Sequence, residues 1–309
     1  MGKINIAFFG SSEFSIPTLK YLFQEENFNI SAIITMPPAE KNRGKKLSNN
    51  VVHDFAVQNN FDEKLIFTPK TLKNSEILER LKLLSLDFIV VVAYGKIIPK
   101  ALIEIPKYEI LNLHPSALPK YRGAAPIERA IENGDESIDI CIMKVDVGLD
   151  TGDVFTRVRY ILNENKFADE IIPDVAEIGA KLMVDSIKTI ADGRKNTFEK
   201  QTEEGMVYAN KIDKSELFID LNNSNLEARQ VYNKIRAFNN SGCCYFIIDG
   251  LRVKIIRAEF MDKNHNNKYG FDKQSGWLFL KNGVIIPTIL QKEGKKAMDL
   301  KSFLNGYKK

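Results

Sequence analysis

The sequence contains little cysteine, histidine or tryptophan. Its 309 residues include three cysteines, three histidines and one tryptophan. The cysteines are odd in number and two of them are adjacent, so they fit neither a disulfide framework nor a zinc site, and we expect reduced thiols. The histidines are far apart, and the calcium-like segment DVGLDTGD has Thr151 where the loop needs glycine and Arg157 where it needs glutamate. We therefore expect no metal site.

Long apolar runs and nucleotide-binding glycine motifs are also missing. No run approaches the roughly 20 apolar residues that a membrane-spanning helix needs. The apolar part of MGKINIAFFG is too short for a signal peptide. The segment GSSEF at 10–14 has one glycine where a dinucleotide fingerprint needs three. We expect a cytoplasmic protein without a dinucleotide site or P-loop.

The net charge of +4 is unevenly distributed. Residues 205–309 contain 18 Lys and Arg against 10 Asp and Glu, a balance of +8, which leaves 26 against 30 for residues 1–204. A basic C-terminal third is typical of proteins that contact phosphates, because Lys and Arg release counterions from nucleic acid. An ordinary solvated surface explains the same charge equally well.

Hydrophobic patterning predicts two domains. In the first half, β-rich runs alternate with helical patterns, which predicts a doubly wound, Rossmann-like α/β domain with a parallel sheet. The predicted strands are 4–9, 30–35, 87–93 and 110–113, and the predicted helices are 16–24, 49–59, 75–85, 126–133 and 175–191. Ligands bind at the carboxyl ends of such strands, so the segments that follow them should form one cleft.

The C-terminal third has a different pattern. Short strands at 245–248, 251–258, 276–280 and 283–286 are separated by Asp-Gly and Asn-Gly turns, with a helix at 226–238. This spacing predicts a small β-barrel or sandwich, for which an OB-like barrel is one candidate. The polar, aperiodic segment before it predicts a linker. The expected domains are therefore 1–192, a linker at 193–207, and 208–309.

Asn112, His114 and Asp150 are the residues most suited to chemistry. Asn112 and His114 are two residues apart at a strand end, so their side chains should point to the same side. An amide and an imidazole can both donate hydrogen bonds to an oxyanion on an attacked carbonyl. Asp150 could keep the imidazole charged or accept a proton. These are parts of an acyl-transfer site, but the same residues could simply satisfy turn backbone.

Longer motifs favour the chemical interpretation. The segments AYGKIIP (93–99), NLHPSALPKYRGAAPIERAIENGD (112–135) and MKVDVGLDTGDV (143–154) closely resemble the methionyl-tRNA formyltransferase family. Further matches are FFGSSEFS (8–15), RGKKL (43–47), YANKIDKSE (208–216), IRAFN (235–239) and LQKEGKKAMDLKSFLNG (290–306). The resemblance therefore spans nearly the whole chain.

The resemblance implies a formyl transfer from 10-formyltetrahydrofolate to the amine of initiator methionyl-tRNA, without a metal. It implies that Asn112 and His114 hold the formyl oxygen and that Asp150 keeps His114 protonated. The residues implied to bind folate are Ser116, Ala117, Leu118, Pro119, Tyr94 and Gly95, and those implied to bind tRNA are Arg43, Lys45 and Lys46. We expect a monomer, with the basic C-terminal domain following the tRNA backbone.

The sequence also departs from the family pattern. Ser12 stands where proline is usual, Ala117 replaces a leucine, Asn42 replaces a glycine, and Asn240-Ser241-Gly242 replaces Pro-Trp-Pro. None of these changes removes a proposed catalytic group. Two other functions compete with this one. A formyltransferase for a small amine has no use for the basic third, and a non-catalytic nucleic-acid-binding protein leaves the Asn-x-His pair idle.

Overall fold

The computed structural model describes residues 2–41, 46–73, 75–194 and 197–306. The chain forms two compact units, each assembled from three segments. The first unit contains Met1–Ala124, Asp139–Tyr160 and Ile172–Tyr208, and the second contains Ala125–Ile138, Ile161–Ile171 and Ala209–Lys309. Within the described ranges, no helix is both long enough and apolar enough to cross a membrane.

The strands are β1 (Ile4–Gly10), β2 (Phe28–Ile34), β3 (Ala39–Lys41), β4 (Lys46–Ser48), β5 (Ile66–Phe67), β6 (Phe88–Val92), β7 (Glu109–His114), β8 (Lys120–Gly123), β9 (Ser137–Lys144), β10 (Val154–Ile161), β11 (Val207–Ala209), β12 (Tyr245–Ile248), β13 (Leu251–Met261), β14 (Gly270–Phe271), β15 (Leu278–Leu280), β16 (Gly283–Lys292) and β17 (Met298–Asp299). The α-helices are α1 (Ile16–Gln24), α2 (Val51–Gln58), α3 (Ser75–Lys82), α4 (Lys100–Ile103), α5 (Pro126–Asn133), α6 (Ala168–Ala191), α7 (Ala228–Phe238) and α8 (Leu300–Asn305).

The first unit is built on a seven-stranded sheet in the order β10-β9-β7-β6-β1-β2-β5. The pairs from β7 to β5 are parallel, as predicted, and β9 joins β7 in the antiparallel sense. All five residues of β6 are buried, because both faces of the sheet are covered. On one face Phe9 and Ile89 share a hydrophobic cluster with Leu81 of α3 and Leu102 of α4. The predicted α/β class is confirmed.

Two features of the fold differ from the sequence-based expectations. Strands β9 and β10 were not predicted, although they extend the sheet beyond β7. Helix α6 begins at Ala168, seven residues before the predicted start, and Pro173 lies inside it. Pro173 lies in the second turn, where its missing N–H removes one intrahelical hydrogen bond while the helix continues. At that start, Glu170 Oε2 accepts a hydrogen bond from Phe167 N at 3.0 Å.

The second unit contains an antiparallel sheet in the order β12-β13-β16-β15-β14, with β17 paired to β16. Helix α7 packs on β13 and β16 and also on α5. The predicted β-rich unit is confirmed, but its sheet is a half-barrel whose described end strands are β12 and β14. Asp249 and Asn282 adopt left-handed backbone conformations in the Asp-Gly and Asn-Gly turns that were predicted between strands.

Candidate functional site

The carboxyl ends of β1, β6 and β7 lie side by side in the first unit. The turns that follow β1 and β6 are joined by two hydrogen bonds. Ser11 Oγ donates to Tyr94 O at 3.1 Å, and Ser15 Oγ donates to Val92 O at 2.7 Å. Of the segments predicted to meet, those after β1 and β6 are therefore in contact, at the edge of the sheet where ligands of α/β folds bind.

Strand β7 carries Asn112 and His114. Because they are two residues apart in one strand, their side chains lie on the same face of the sheet, as predicted. Asn112 is half-buried, and its side-chain amide makes no hydrogen bond with the described part of the chain. His114 is buried, with 5% of its surface exposed. The site thus presents one uncommitted amide next to one buried imidazole.

Both ring nitrogens of His114 face oxygen atoms. Nε2 lies 3.0 Å from Tyr121 O, and Nδ1 lies 3.7 Å from Asp150 Oδ2. A carbonyl oxygen only accepts hydrogen bonds, so Nε2 must carry a proton in this arrangement. The Asp150 carboxylate faces the other ring nitrogen, so both nitrogens of the imidazole are turned toward acceptor oxygens.

The loop that carries Asp150 is held tightly. Asp150 has a left-handed backbone with φ of 52°, which is uncommon for a residue other than glycine. Its Oδ2 accepts a hydrogen bond from Gly123 N at 2.9 Å. Gly152 approaches the chain so closely that a Cβ there would lie 1.9 Å from Lys144 O. Glycine is required at this position because any side chain would collide with the main chain.

The predicted folate segment 116–119 is only partly exposed. Ser116 is fully buried and Leu118 is 3% exposed, whereas Ala117 and Pro119 are half-buried. The peptide bond between Leu118 and Pro119 is cis. Ser116 Oγ has no hydrogen-bond partner within the described ranges. The surfaces of this segment that remain open to a ligand are those of Ala117 and Pro119.

Cys141 contacts the 116–119 segment, and Tyr94 and Gly95 form the turn after β6. Cys141 Sγ contacts Ser116 O at 3.1 Å, and burial raises the pKa of this thiol to about 12. The ring of Tyr94 is part of the hydrophobic core, and burial raises its pKa to about 12 as well. Gly95 is exposed, with φ of 83°. At the Tyr94–Gly95 turn, a ligand would therefore meet backbone rather than the tyrosine hydroxyl.

Arg122 and Gln201 belong to the site although neither was predicted. The guanidinium of Arg122 is buried, and its Nε donates to Gln201 Oε1 at 3.0 Å. Gln201 Nε2 in turn donates to the carbonyl oxygens of Asp150 and Gly152. Arg122 lay inside the quoted motif, but Gln201 lies in the polar stretch that predicted a linker. No pattern in one sequence connects Gln201 to a loop 50 residues earlier.

The predicted tRNA-contacting residues lie largely outside the described ranges. Arg43 and Lys45 fall outside them, and Lys46 is described only as the first residue of β4, which pairs with β3. Among the described residues, no three His, Cys, Asp or Glu side chains cluster closely enough to hold a metal ion. The described part of the candidate site is thus the Asn112, His114 and Asp150 group and the residues that hold it.

Comparison with known proteins identifies both parts of the chain. Residues 3–187 match the formyl transferase family, and residues 211–308 match the C-terminal domain of formyl transferases. The methionyl-tRNA formyltransferase of Rickettsia prowazekii (strain Madrid E) is 37% identical, with 98% of this chain and 97% of the relative covered. The enzyme of the same name from Clostridium tetani (strain Massachusetts / E88) is also 37% identical, with 99% of this chain and 97% of the relative covered.

Solved structures share the fold at low sequence identity. Methionyl-tRNA formyltransferase from Clostridium thermocellum aligns with a TM-score of 0.59 and 20% identity, covering 96% of this chain and 99% of the other. The sugar 3N-formyl transferase WlaRD aligns with a TM-score of 0.67 and 21% identity, covering 96% of this chain and 100% of the other. From the matched domains and the full-length relatives, the chain belongs to the formyl transferase family.

Proposed function

We propose that this protein transfers the formyl group of 10-formyltetrahydrofolate to the free amine of initiator methionyl-tRNA. The observation that carries the proposal is the position of Asn112, His114 and Asp150 at the carboxyl edge of the sheet, in a chain whose full-length relatives are named methionyl-tRNA formyltransferases. The acceptor amine has an ordinary pKa of about 7.7, so a useful fraction is unprotonated near neutral pH. No side-chain nucleophile is needed.

In the first step, the amine nitrogen attacks the formyl carbon and a C–N bond forms. The carbonyl electron pair moves to oxygen, and Asn112 donates a hydrogen bond to this oxyanion. His114 provides the second donor when its ring turns from Tyr121 O toward the substrate. One such donor lowers the barrier by roughly 3 kcal/mol. The uncommitted amide of Asn112 supports this role, because it has no protein partner to give up within the described part of the chain.

In the second step, the proton lost by the amine passes through Asp150, directly or by way of a water molecule. The oxyanion collapses, the bond from carbon to N10 breaks, and N10 leaves with that proton. The products are formylmethionyl-tRNA and tetrahydrofolate. The position of Asp150 supports a joint role for the two residues, because its Oδ2 lies 3.7 Å from His114 Nδ1.

The remaining residues are proposed to bind the two substrates. Ala117 and Pro119, with Ser116 and Leu118 behind them, form a wall for the folate, and the Tyr94–Gly95 turn contributes backbone. Arg43, Lys45 and Lys46 contact the acceptor end of the tRNA. The +8 charge of residues 205–309 supports contact with its backbone. Residues 1–192 are proposed as the catalytic domain, 193–207 as the linker and 208–309 as the tRNA-binding domain.

We further propose that the enzyme works as a monomer in the cytoplasm. One chain supplies all three members of the Asn112, His114 and Asp150 group, so a second copy is not needed for chemistry. The described cysteines are free thiols, as expected in a reducing compartment. Light scattering of the purified protein at enzyme-assay concentrations tests the monomer, and a dimer under those conditions contradicts it.

The decisive experiment is transfer of radiolabelled formyl from 10-formyltetrahydrofolate. The label is offered to initiator methionyl-tRNA, elongator methionyl-tRNA and small amines, with His114→Ala as the control enzyme. We expect label on the initiator tRNA and a loss of at least about 100-fold in His114→Ala. Label that prefers small amines supports the sister activity instead, and unchanged transfer by His114→Ala contradicts the mechanism.

A second variant tests the proposed tRNA contact. Arg43→Ala should raise the KM for tRNA while the affinity for the folate stays the same, because phosphate contacts position the acceptor without touching the donor. Tetrahydrofolate binding by calorimetry measures the donor site separately. Equal loss of both affinities contradicts the assignment of Arg43 to tRNA.

A further inference from the structure

Gln201 connects the loop that carries Asp150 to the strand beside it. Its Nε2 donates to Asp150 O at 2.9 Å and to Gly152 O at 2.6 Å, and its Oε1 accepts from Arg122 Nε at 3.0 Å. A guanidinium only donates and backbone carbonyls only accept. The amide of Gln201 therefore has a single orientation in which all three hydrogen bonds form.

The two hydrogen bonds from Gln201 Nε2 hold the ends of a strained stretch of backbone, residues 150–152. A residue other than glycine in the left-handed region costs about 1–2 kcal/mol and persists only where its surroundings hold it. Asp150 is such a residue. Gln201 holds its carbonyl and the carbonyl two residues later, while Gly123 N holds its carboxylate at 2.9 Å. Backbone and side chain of Asp150 are thus held by separate donors.

Strand β8 contacts His114, Gln201 and Asp150. Tyr121 O meets His114 Nε2, the side chain of Arg122 orients Gln201, and Gly123 N meets the carboxylate of Asp150. Three consecutive residues therefore contact His114, Gln201 and Asp150 in turn. Arg122 is 2% exposed, so its hydrogen bond to Gln201 is shielded from water. Hydrogen bonds are stronger in the protein interior than in water.

We propose that Gln201 is a positioning residue for the His114–Asp150 pair, with Arg122 fixing the orientation of its amide. This inference rests on the proposed formyl transfer. Gln201 acts through Asp150 and does not touch the reacting atoms. Without its donor, the backbone at Asp150 relaxes from the left-handed region and the carboxylate moves from His114. Turnover then falls, while the affinities for folate and tRNA stay near those of the wild type.

Gln201→Glu tests this with the smallest change in shape. Glutamate keeps the acceptor for Arg122 but places an oxygen, in place of the NH₂ group, against the two carbonyls. We expect kcat to fall roughly tenfold to a hundredfold, with both KM values within about threefold of the wild type. In an Asp150→Asn background the same substitution should lower kcat by less than about threefold, because the carboxylate to be positioned is already gone.

The control is Gln24→Glu, the same chemical change at an exposed residue at the end of α1, which should leave kcat unchanged. Gln201→Ala is the second variant should Gln201→Glu not fold, and the same results are expected of it. Wild-type kcat in a folded Gln201 variant overturns the proposal. So does an equal loss in both backgrounds, since that assigns Gln201 to folding alone.

Hydrogen exchange measured without substrates separates this proposal from the proposed function. Amides of the peptide 144–153 should exchange faster in Gln201→Glu than in the wild type, with the rest of the first unit unchanged. Unchanged exchange in that peptide overturns the positioning role. A wild-type enzyme that transfers no formyl group to methionyl-tRNA contradicts the proposed function, whereas the exchange result still decides whether Gln201 holds the loop.

Discussion

Among the described residues two arginines are buried, one in each compact unit. They differ in the groups that they bind. Arg122, in the first unit, is 2% exposed, and Arg236, in the second, is 3% exposed. Arg122 contacts the side chains of Gln201 and Glu203. Arg236 donates from Nη1 to the carbonyls of Asn163 and Lys166, and burial lowers its pKa. Arg122 thus contacts the residue that holds the Asp150 loop, whereas Arg236 binds two carbonyls of one turn.

Left-handed residues show the same contrast. In the second unit Asp249 and Asn282 occupy Asp-Gly and Asn-Gly turns, where this conformation is ordinary. At the site of the first unit the left-handed residues are Tyr121 and Asp150, and a bulky tyrosine in that region is a genuine outlier. The left-handed residues at the site are thus the two that supply the oxygen atoms facing His114, whereas Asp249 and Asn282 lie in hairpin turns that suit this conformation.

The largest expected effect compares a glycine from each unit. Gly152→Ala should lower formyl transfer by roughly 100-fold or more, because a Cβ there lies 1.9 Å from Lys144 O and the Asp150 loop must move. Gly250→Ala meets no atom within 4 Å, although φ is 74°, so we expect a loss of about 1–2 kcal/mol in stability and no loss of kcat. Steady-state kinetics and urea unfolding measure both.

A near-normal kcat for Gly152→Ala contradicts the close fit of the loop against β9. A large fall in kcat for Gly250→Ala, with the protein still folded, removes the contrast between the units. Either result shows that strain at the site is no more important for transfer than strain in an ordinary hairpin turn.

The next effect concerns the two arginines. Arg236→Met should destabilise the second unit by about 2–4 kcal/mol, since it leaves the carbonyls of Asn163 and Lys166 without their donor. The single tryptophan, Trp277, lies in this unit, so its fluorescence during urea unfolding reports the change directly. Arg122→Met should instead lower kcat roughly tenfold, because Gln201 loses the donor that orients it.

The opposite results contradict a structural role for Arg236 and a positioning role for Arg122. An Arg236→Met protein with normal stability and reduced kcat places that arginine in the reaction. An Arg122→Met protein with full kcat shows that Gln201 keeps its orientation without the guanidinium.

The regular parts of the fold were predictable from the sequence because their signals are local. Residues 16–24 and 245–248 were predicted with the observed bounds, since apolar periodicity and turn residues mark both ends. Pro126 and Gly134 likewise mark α5, where Gly134 is left-handed at the helix end. Helix α6 was predicted too short because Pro173 normally marks a helix start, and β9 was missed because it pairs with a strand far earlier in the chain.

The site was only partly predictable. Asn112 and His114 follow from strand periodicity, and their common face is a property of β7 itself. Asp150 was identified by its motif, but its left-handed backbone was not, since no turn signature requires it. Gln201 was missed entirely. Its role depends on contacts formed by folding between residues 51 and 79 positions apart, and its own segment has no periodicity.

The smallest expected effect uses one buried cysteine from each unit. Burial raises the pKa of Cys141 and of Cys244 to about 12, above the usual value of 9.0. A raised pKa means that each thiol stabilises the folded protein below pH 9.0, and that this contribution is lost as the pH rises toward about 12. The loss amounts to at most about 1.4 kcal/mol per pH unit for each thiol.

Cys244→Ala should therefore weaken the pH dependence of the Trp277 unfolding transition in that window, compared with the wild type. Cys141→Ala should weaken it for the first unit, measured by hydrogen exchange of β7, where His114 pairs with Cys141. A Cys141→Ala variant that changes the Trp277 transition as strongly as Cys244→Ala shows that the two units unfold together. Separate responses show that each unit is stabilised by its own core, and that the strained site in the first unit is maintained independently of the second unit.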